Sequence, residues 1–275
     1  MSKKERVDVL AVQQGLFDTR EKAKRAVMAG LIVDQNNLRH DKPGEKLPFD
    51  TTLRVKGEVM PYVSRGGLKL EKALKIFDFD VADKVVLDIG ASTGGFTDVA
   101  LQNGAKLSYA LDVGTNQLAW KIRSDERVVV MEQTNFRYSK PEDFLDGLPD
   151  VATIDVSFIS LRLIFPPLHA ILKLGGDVMA LIKPQFEAGK EQVGKKGIVR
   201  DEKVHQEVVR EVFDFATKDG FDVCGLDFSP ITGGEGNIEF IAHLKKVDGT
   251  GTISDTVHLE EVVQSAHEVL TANIK

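Results

Sequence analysis

From residue 84 to residue 244 short apolar runs alternate with stretches long enough for a helix, and this alternation constrains the chain more than any other feature. The runs are Val85–Ile89, Ser108–Asp112, Val128–Met131, Val151–Asp155, Asp177–Ile182 and Phe221–Phe228. Strands that alternate with helices form a parallel sheet covered on both faces, so the expected class is α/β. The clearest helix spans Glu202–Lys218, with Val209, Val212, Phe213 and Ala216 on one face. Only a Gly-rich turn separates Phe221–Phe228 from a last run, Ile238–Leu244. A turn that short has no room for a crossover helix, so the last strand pairs antiparallel. Further helices are expected at Leu68–Phe77, with Leu70, Ala73, Leu74 and Phe77 on one face, and at Leu259–Ala272, the latter for packing only.

The first sixty residues read as a separate α+β unit. Val7, Leu10 and Ala11 share a helical face, and Thr19 is placed to cap a second helix whose buried stripe is Ala23, Ala26 and Val27. Gly30 ends that helix, Leu31–Val33 is a short strand, and Asp50–Val55 is a last one. Residues 1–76 carry 16 Lys and Arg against 10 Asp and Glu, a net of +6, which leaves −12 for residues 77–275. Such an asymmetry suits a basic module for a polyanion joined to an acidic body. The stretch from Thr19 to Val27, followed by Gly30 to Asp34, resembles the small RNA-binding domain named after ribosomal protein S-four. The resemblance implies RNA contacts from Arg6, Arg20, Lys22, Lys24 and Arg25. Pro61 to Gly67 breaks the pattern, so the expected division is 1–60, a linker at 61–67, and a second domain at 68–275.

Cys224 stands alone, which suits a reducing compartment, and the six histidines show no metal-ligand spacing, so no metal site is expected. Nothing at the N-terminus reads as a signal peptide and no apolar run is long enough to span a bilayer. A cytoplasmic protein without stable membrane association is expected.

The strand at Val85–Ile89 runs into Gly90-Ala91-Ser92-Thr93-Gly94-Gly95, a small-residue turn that opens a helix. In open parallel sheets ligands bind at the carboxyl ends of strands, where such a turn lets backbone approach closely. The next strand ends in Asp112, placed to accept hydrogen bonds from a ribose diol. Taken alone the turn also suits a dinucleotide, yet Ser92 stands where the phosphate-binding fingerprint has glycine. A cofactor without a diphosphate tolerates that departure. The turn resembles motif I of methyltransferases, which implies S-adenosylmethionine as cofactor, Gly90, Ala91, Ser92, Thr93, Gly94 and Asp112 around it, and Asp88 either bracing the loop or reaching the methionine end.

Four charged residues hold telling places: Lys69 at the start of a helix, Asp155 ending the fourth strand, Lys183 ending the fifth, and Glu239 within the last. Lys183 and Glu239 abut apolar runs, where an unpaired charge is costly. In order and element the four match the Lys-Asp-Lys-Glu tetrad of FtsJ-like ribose 2'-O-methyltransferases. With the Arg65-Gly66-Gly67-x-Lys69-Leu70 motif and the N-terminal unit, residues 3 to 245 closely resemble the hemolysin A (TlyA) family of rRNA methyltransferases. The resemblance implies a Rossmann-like methyltransferase fold, transfer to 2'-hydroxyls of cytidine in rRNA or ribosomal subunits, an RNA-facing Arg65, and a catalytic set of Lys69, Asp155, Lys183 and Glu239. Lys183 then accepts or orients the proton of the attacking hydroxyl. A neighbouring cation and desolvation push a lysine toward the neutral base, whereas carboxylates oppose that shift. Next to it, Gly189–Gly197 holds three glycines and three lysines in a loop suited to phosphates or to plain solvation.

Three other readings are distinguishable. A membrane-acting haemolysin predicts lysis of liposomes without S-adenosylmethionine. A nicotinamide-dependent enzyme predicts binding of that cofactor instead. A non-catalytic RNA-binding protein predicts no methyl transfer. The target nucleotide and the oligomeric state are left open by the residues themselves.

Overall fold

A computed structural model describes residues 4–36, 38–56 and 60–272, and divides the chain into two compact units, Met1–Pro61 and Tyr62–Lys275. In the first, β1 (Lys4–Arg6), α1 (Val7–Gln13), α2 (Arg20–Met28), β2 (Ile32–Asp34), β3 (Arg39–His40), β4 (Lys46–Pro48) and β5 (Leu53–Val55) follow in order. Val7, Leu10 and Ala11 of α1 and Ala23, Ala26 and Val27 of α2 share one buried cluster with Ile32. The Thr19 hydroxyl accepts the Lys22 N–H at 3.3 Å and so caps α2. Gly30 ends it at φ +70°, where a side chain is strained. The strands form two small antiparallel sheets, β1 with β4, and β2 between β3 and β5. β1, β3 and β4 were not expected, because two or three residues are too short to show a period of two.

The second unit holds α3 (Gly67–Ile76), β6 (Val85–Ile89), α4 (Gly95–Gln102), β7 (Leu107–Leu111), α5 (Trp120–Arg123), β8 (Val128–Met131), β9 (Val151–Ile154), α6 (Phe165–Ile171), β10 (Asp177–Ile182), α7 (Pro184–Glu187), α8 (Glu202–Lys218), β11 (Phe221–Phe228), β12 (Phe240–Lys246) and α9 (Leu259–Ala272). Among the described residues its strands form one sheet of order β11-β12-β10-β9-β6-β7-β8. β10, β9, β6, β7 and β8 run parallel, and β12 runs antiparallel to both its neighbours. Alternation along β6 serves two layers. Val85, Leu87 and Ile89 join the cluster under α6, α8 and α9. Val86 joins the one under α3 and α4.

Two boundaries differ from expectation. The stretch read as a linker at 61–67 lies, from Tyr62 onward, inside the second unit: the Val63 N–H donates to Asp98 and the Tyr62 hydroxyl to Glu71, each at 2.9 Å. Glycine makes this packing possible, since a Cβ on Gly95 would lie 3.0 Å from the Gly67 nitrogen. The last strand begins at Phe240, paired with Phe228, so Glu239 stands just before it rather than within it.

Candidate active site

The chain leaves β6 for β7 on one side of the sheet and returns to β9 on the other. The carboxyl ends of β6 and β9 therefore flank the crevice where strand order reverses, the usual ligand position in such sheets. Gly90 holds φ +86°, and a Cβ there would lie 2.3 Å from the Asp155 carbonyl oxygen, so only glycine lets the two strand ends come together. Gly94 at φ +94° meets Leu118, and Ser92 adopts φ +48° without being glycine. The Asp112 carboxylate accepts the Ser92 N–H at 2.7 Å and the Gly114 N–H at 2.8 Å, tying the turn after β6 to the end of β7.

A cavity of about 350 Å³ opens here, lined by Gly90, Ser92, Asp112, Asn135, Asp155 and Phe158 among others. Of the residues expected around a cofactor, Gly90, Ser92 and Asp112 face it. Ala91 and Gly94 are buried within the turn, and the Thr93 carbonyl accepts the Ala119 N–H. Asp88 is fully enclosed: its carboxylate accepts the Thr97 N–H at 3.1 Å, the Thr97 hydroxyl at 2.7 Å and the Thr153 hydroxyl at 3.2 Å. It braces the first turn of α4, and burial pushes its pKa from 3.8 to about 7.

The tetrad assembles at the same edge. Asp155 follows β9 and Lys183 follows β10, so two parallel neighbours end side by side. β12 runs the other way, and its first residue therefore meets the end of β10, with Phe240 opposite Ile182. That reversal delivers Glu239 to the carboxyl edge. Lys69, in the first turn of α3, donates to Glu239 at 2.7 Å and to Asp155 at 3.4 Å. Asp155 also pairs with Lys183, whose ammonium reaches the Ser157 hydroxyl at 3.1 Å. Gln185 donates to the other Glu239 oxygen at 3.3 Å. Side-chain exposure runs from Glu239 at 2% and Lys69 at 8% to Asp155 at 21%, then falls to 11% at Lys183. Asp155, the most open of the four, adjoins the cavity.

Arg65, read as an RNA contact, is exposed one residue before the glycines that seat α3. In the first unit Lys24 and Arg25 are exposed as expected. Arg6 and Arg20, with side chains 40% and 55% exposed, also pair with Asp8, each at 2.9 Å, and Asp8 is 1% exposed. Lys22 pairs with Asp18. Sequence reasoning missed Ser157, Phe158 and Asn135 at the cavity and Gln185 beside Glu239. Ser157 and Gln185, two places past Asp155 and Lys183, were the legible ones, since strand ends aim successive residues at the same crevice.

A family model for the FtsJ-like methyltransferase matches residues 62–246, the span that carries the fold, the turn and the tetrad. The chain belongs to the FtsJ-like methyltransferase family. A solved structure from Listeria monocytogenes, named as an S-adenosylmethionine dependent methyltransferase and 17% identical over 67% of this chain, shares the fold with a TM-score of 0.50. Among relatives, a Bacillus subtilis protein bearing the name of an rRNA methyltransferase is 62% identical over 98% of this chain and 96% of its own. The Mycobacterium tuberculosis 16S/23S rRNA (cytidine-2'-O)-methyltransferase TlyA is 41% identical over 89% of this chain and 91% of its own. A solved structure from Streptococcus thermophilus, named as a hemolysin, is 61% identical, covers 100% of this chain and 99% of its own, and superposes with a TM-score of 0.78.

Proposed function

We propose that this family member methylates the 2'-hydroxyl of cytidine in rRNA, using S-adenosylmethionine. The observation that carries the reading is the continuity of the Lys-Asp-Lys-Glu cluster with the cavity: Asp155 belongs to both. The cytidine and the ribose position rest on the 41% identical TlyA.

The cavity suits the cofactor. Its Gly90 wall would be filled by any Cβ, and the Asp112 carboxylate at its rim can accept from a ribose diol. Ser92 at the turn matters little to a ligand without phosphate. Bound there, S-adenosylmethionine supplies an electrophilic methyl group to an attacking oxygen. Transfer then requires that oxygen to be held in line while its proton departs. Lys183 is the tetrad lysine held by both Asp155 and Ser157, two residues that line the cavity, and it takes the proton-handling role. Lys69 and Glu239, deeper in the unit, keep Asp155 in place from behind.

The first unit supplies RNA affinity, as a domain of the S-four kind. Its outward Lys24 and Arg25 are the phosphate contacts, and Arg6 and Arg20 shape the fold through Asp8. Incubating the purified chain with S-adenosylmethionine and with free rRNA or ribosomal subunits, then mapping methylated riboses, tests the whole reading. Methyl groups on cytidine 2'-oxygens are expected. Transfer to bases, or none to either substrate, would overturn it. The hemolysin names of relatives are met by dye-loaded vesicles in the same assay; among the described residues no helix is long and apolar enough to cross a membrane.

A further inference from the structure

The segment between α7 and α8, residues 188–201, has no part in the tetrad or the cofactor cavity, yet it is tied to both ends of the catalytic cluster. It starts a few residues after Lys183. It returns to Asn237, two residues before Glu239: the Val199 N–H donates to the Asn237 side-chain Oδ1 at 3.1 Å, and the Asn237 Nδ2 donates to the Gly197 carbonyl at 3.0 Å. Within the loop, Gln192 N–H closes a turn on Gly189 at 2.9 Å and Gly194 N–H a second on Ile198 at 2.9 Å. Asn237 itself is 3% exposed. The backbone is thus fastened, and what it presents outward is charge.

Lys190, Lys195, Lys196 and Arg200 are all exposed, and among the described residues none has a carboxylate within 4 Å. Several other cations of this unit are neutralised locally: Lys69, Lys121, Arg123, Arg127 and Lys173 each have an acid partner. Lys195, Lys196 and Arg200 rim an open depression of about 570 Å³, with Asp201 as its one acidic lining residue, and Asp201 accepts the Lys203 N–H to cap α8. In a stretch of net charge −12, four unpaired cations held on a fixed loop are an attraction for a polyanion.

We infer that this loop grips the phosphodiester backbone of the substrate RNA beside the ribose that is methylated, a second RNA contact independent of the N-terminal unit. The inference rests on the RNA reading above. Its chemistry is sequence-independent: lysines and an arginine neutralise phosphates and release counterions, so they set affinity and position rather than base choice.

The test is the full chain carrying Lys195→Glu and Lys196→Glu together, with Lys195→Gln and Lys196→Gln as a neutral counterpart. Both side chains are exposed, so folding and cofactor affinity should match wild type. The KM for rRNA should rise about tenfold in the Glu pair and less in the Gln pair, with kcat at saturating RNA retained. The slope of log affinity against log salt should shrink by roughly one to two. An unchanged KM and an unchanged slope would overturn the inference. If the wild-type chain transfers no methyl group to rRNA, the functional reading fails, and RNA binding by the same variants still decides the loop: equal affinity and slope refute it.

Discussion

Lys69 and Glu239 meet at 2.7 Å with both side chains more than nine-tenths removed from water. A charge so enclosed is tolerable only with its partner, since removing one member of a buried pair leaves the other uncompensated at a cost of about 3–5 kcal/mol. Lys69→Ala should therefore lower the unfolding free energy by roughly that amount and abolish transfer with it. Glu239→Gln, which keeps a hydrogen-bond acceptor for Lys69, should destabilise less. Urea unfolding of the two variants checks this, and equal stability of Lys69→Ala and wild type would refute the pairing.

Lys183 has different partners. It touches only Asp155 and Ser157 among charged or hydroxyl side chains of the described residues, and both of these line the cavity. Lys183→Ala should leave folding, cofactor affinity and RNA affinity near wild type while removing methyl transfer, because its contribution is made in the transition state. Lys183→Arg should fail nearly as badly, for a planar fork does not fit an ammonium site. Single-turnover rates with bound RNA read this directly. Full activity in a folded Lys183→Ala would remove the tetrad from the mechanism.

Asp112→Ala should weaken S-adenosylmethionine binding by about 1.5–3 kcal/mol for each charged-group hydrogen bond lost. Part of the loss comes from the turn itself, because the Ser92 and Gly114 N–H groups lose their acceptor. Calorimetry decides it, and unchanged affinity contradicts the assignment of this cavity.

In the first unit, structure and binding separate. Arg20→Ala takes one of two guanidinium partners from a buried Asp8, and should lower the melting temperature of that unit. Lys24→Ala with Arg25→Ala should leave melting alone and weaken RNA binding in a salt-dependent way. Binding equal to wild type in the second pair would mean that the outward face of α2 does not meet RNA.

Two buried groups oppose each other in pH dependence. Burial raises Asp88 from 3.8 to about 7, so its stabilisation is full below about pH 4 and is lost as pH climbs toward 7. Burial, and then the neighbouring His267, lowers His205 from 6.5 to about 4, so its stabilisation is full above 6.5 and is lost as pH falls toward 4. Between these limits the two slopes cancel, each about 1.4 kcal/mol per pH unit. Relative to wild type, Asp88→Asn should gain stability as pH rises through this window, and His205→Gln should lose it. Denaturation midpoints at pH 4.5 and 6.5, taken as about the window's ends, measure both signs.

How much of this was legible in the sequence follows from burial. β8, β10, β11 and α8 fall on their expected residues, because each is an apolar run or an amphipathic stripe bounded by polar or glycine-containing turns. All four tetrad residues converge as expected, since the alternation alone sends Asp155 and Lys183 to one edge and the reversed strand sends Glu239 there. The first unit was less readable. That Arg6 and Arg20 also pair with Asp8 depends on α1 burying Asp8, which no periodicity states. Phe158, at φ +62° and 90% exposed, occupies a backbone region that its residue type gives no reason to expect.

The partners Lys69 and Glu239 are separated by 170 positions in the chain. During synthesis at about 5–20 residues per second, α3 waits on the order of ten to thirty seconds before β12 emerges. Until then Lys69 of α3 lacks the nearer of its two acid partners and β10 lacks a neighbour on one side. The N-terminal unit, finished early, is competent first. On the function proposed above, a growing chain holds RNA well before it can act on it, and the four charged residues come together only when the last strand joins the sheet.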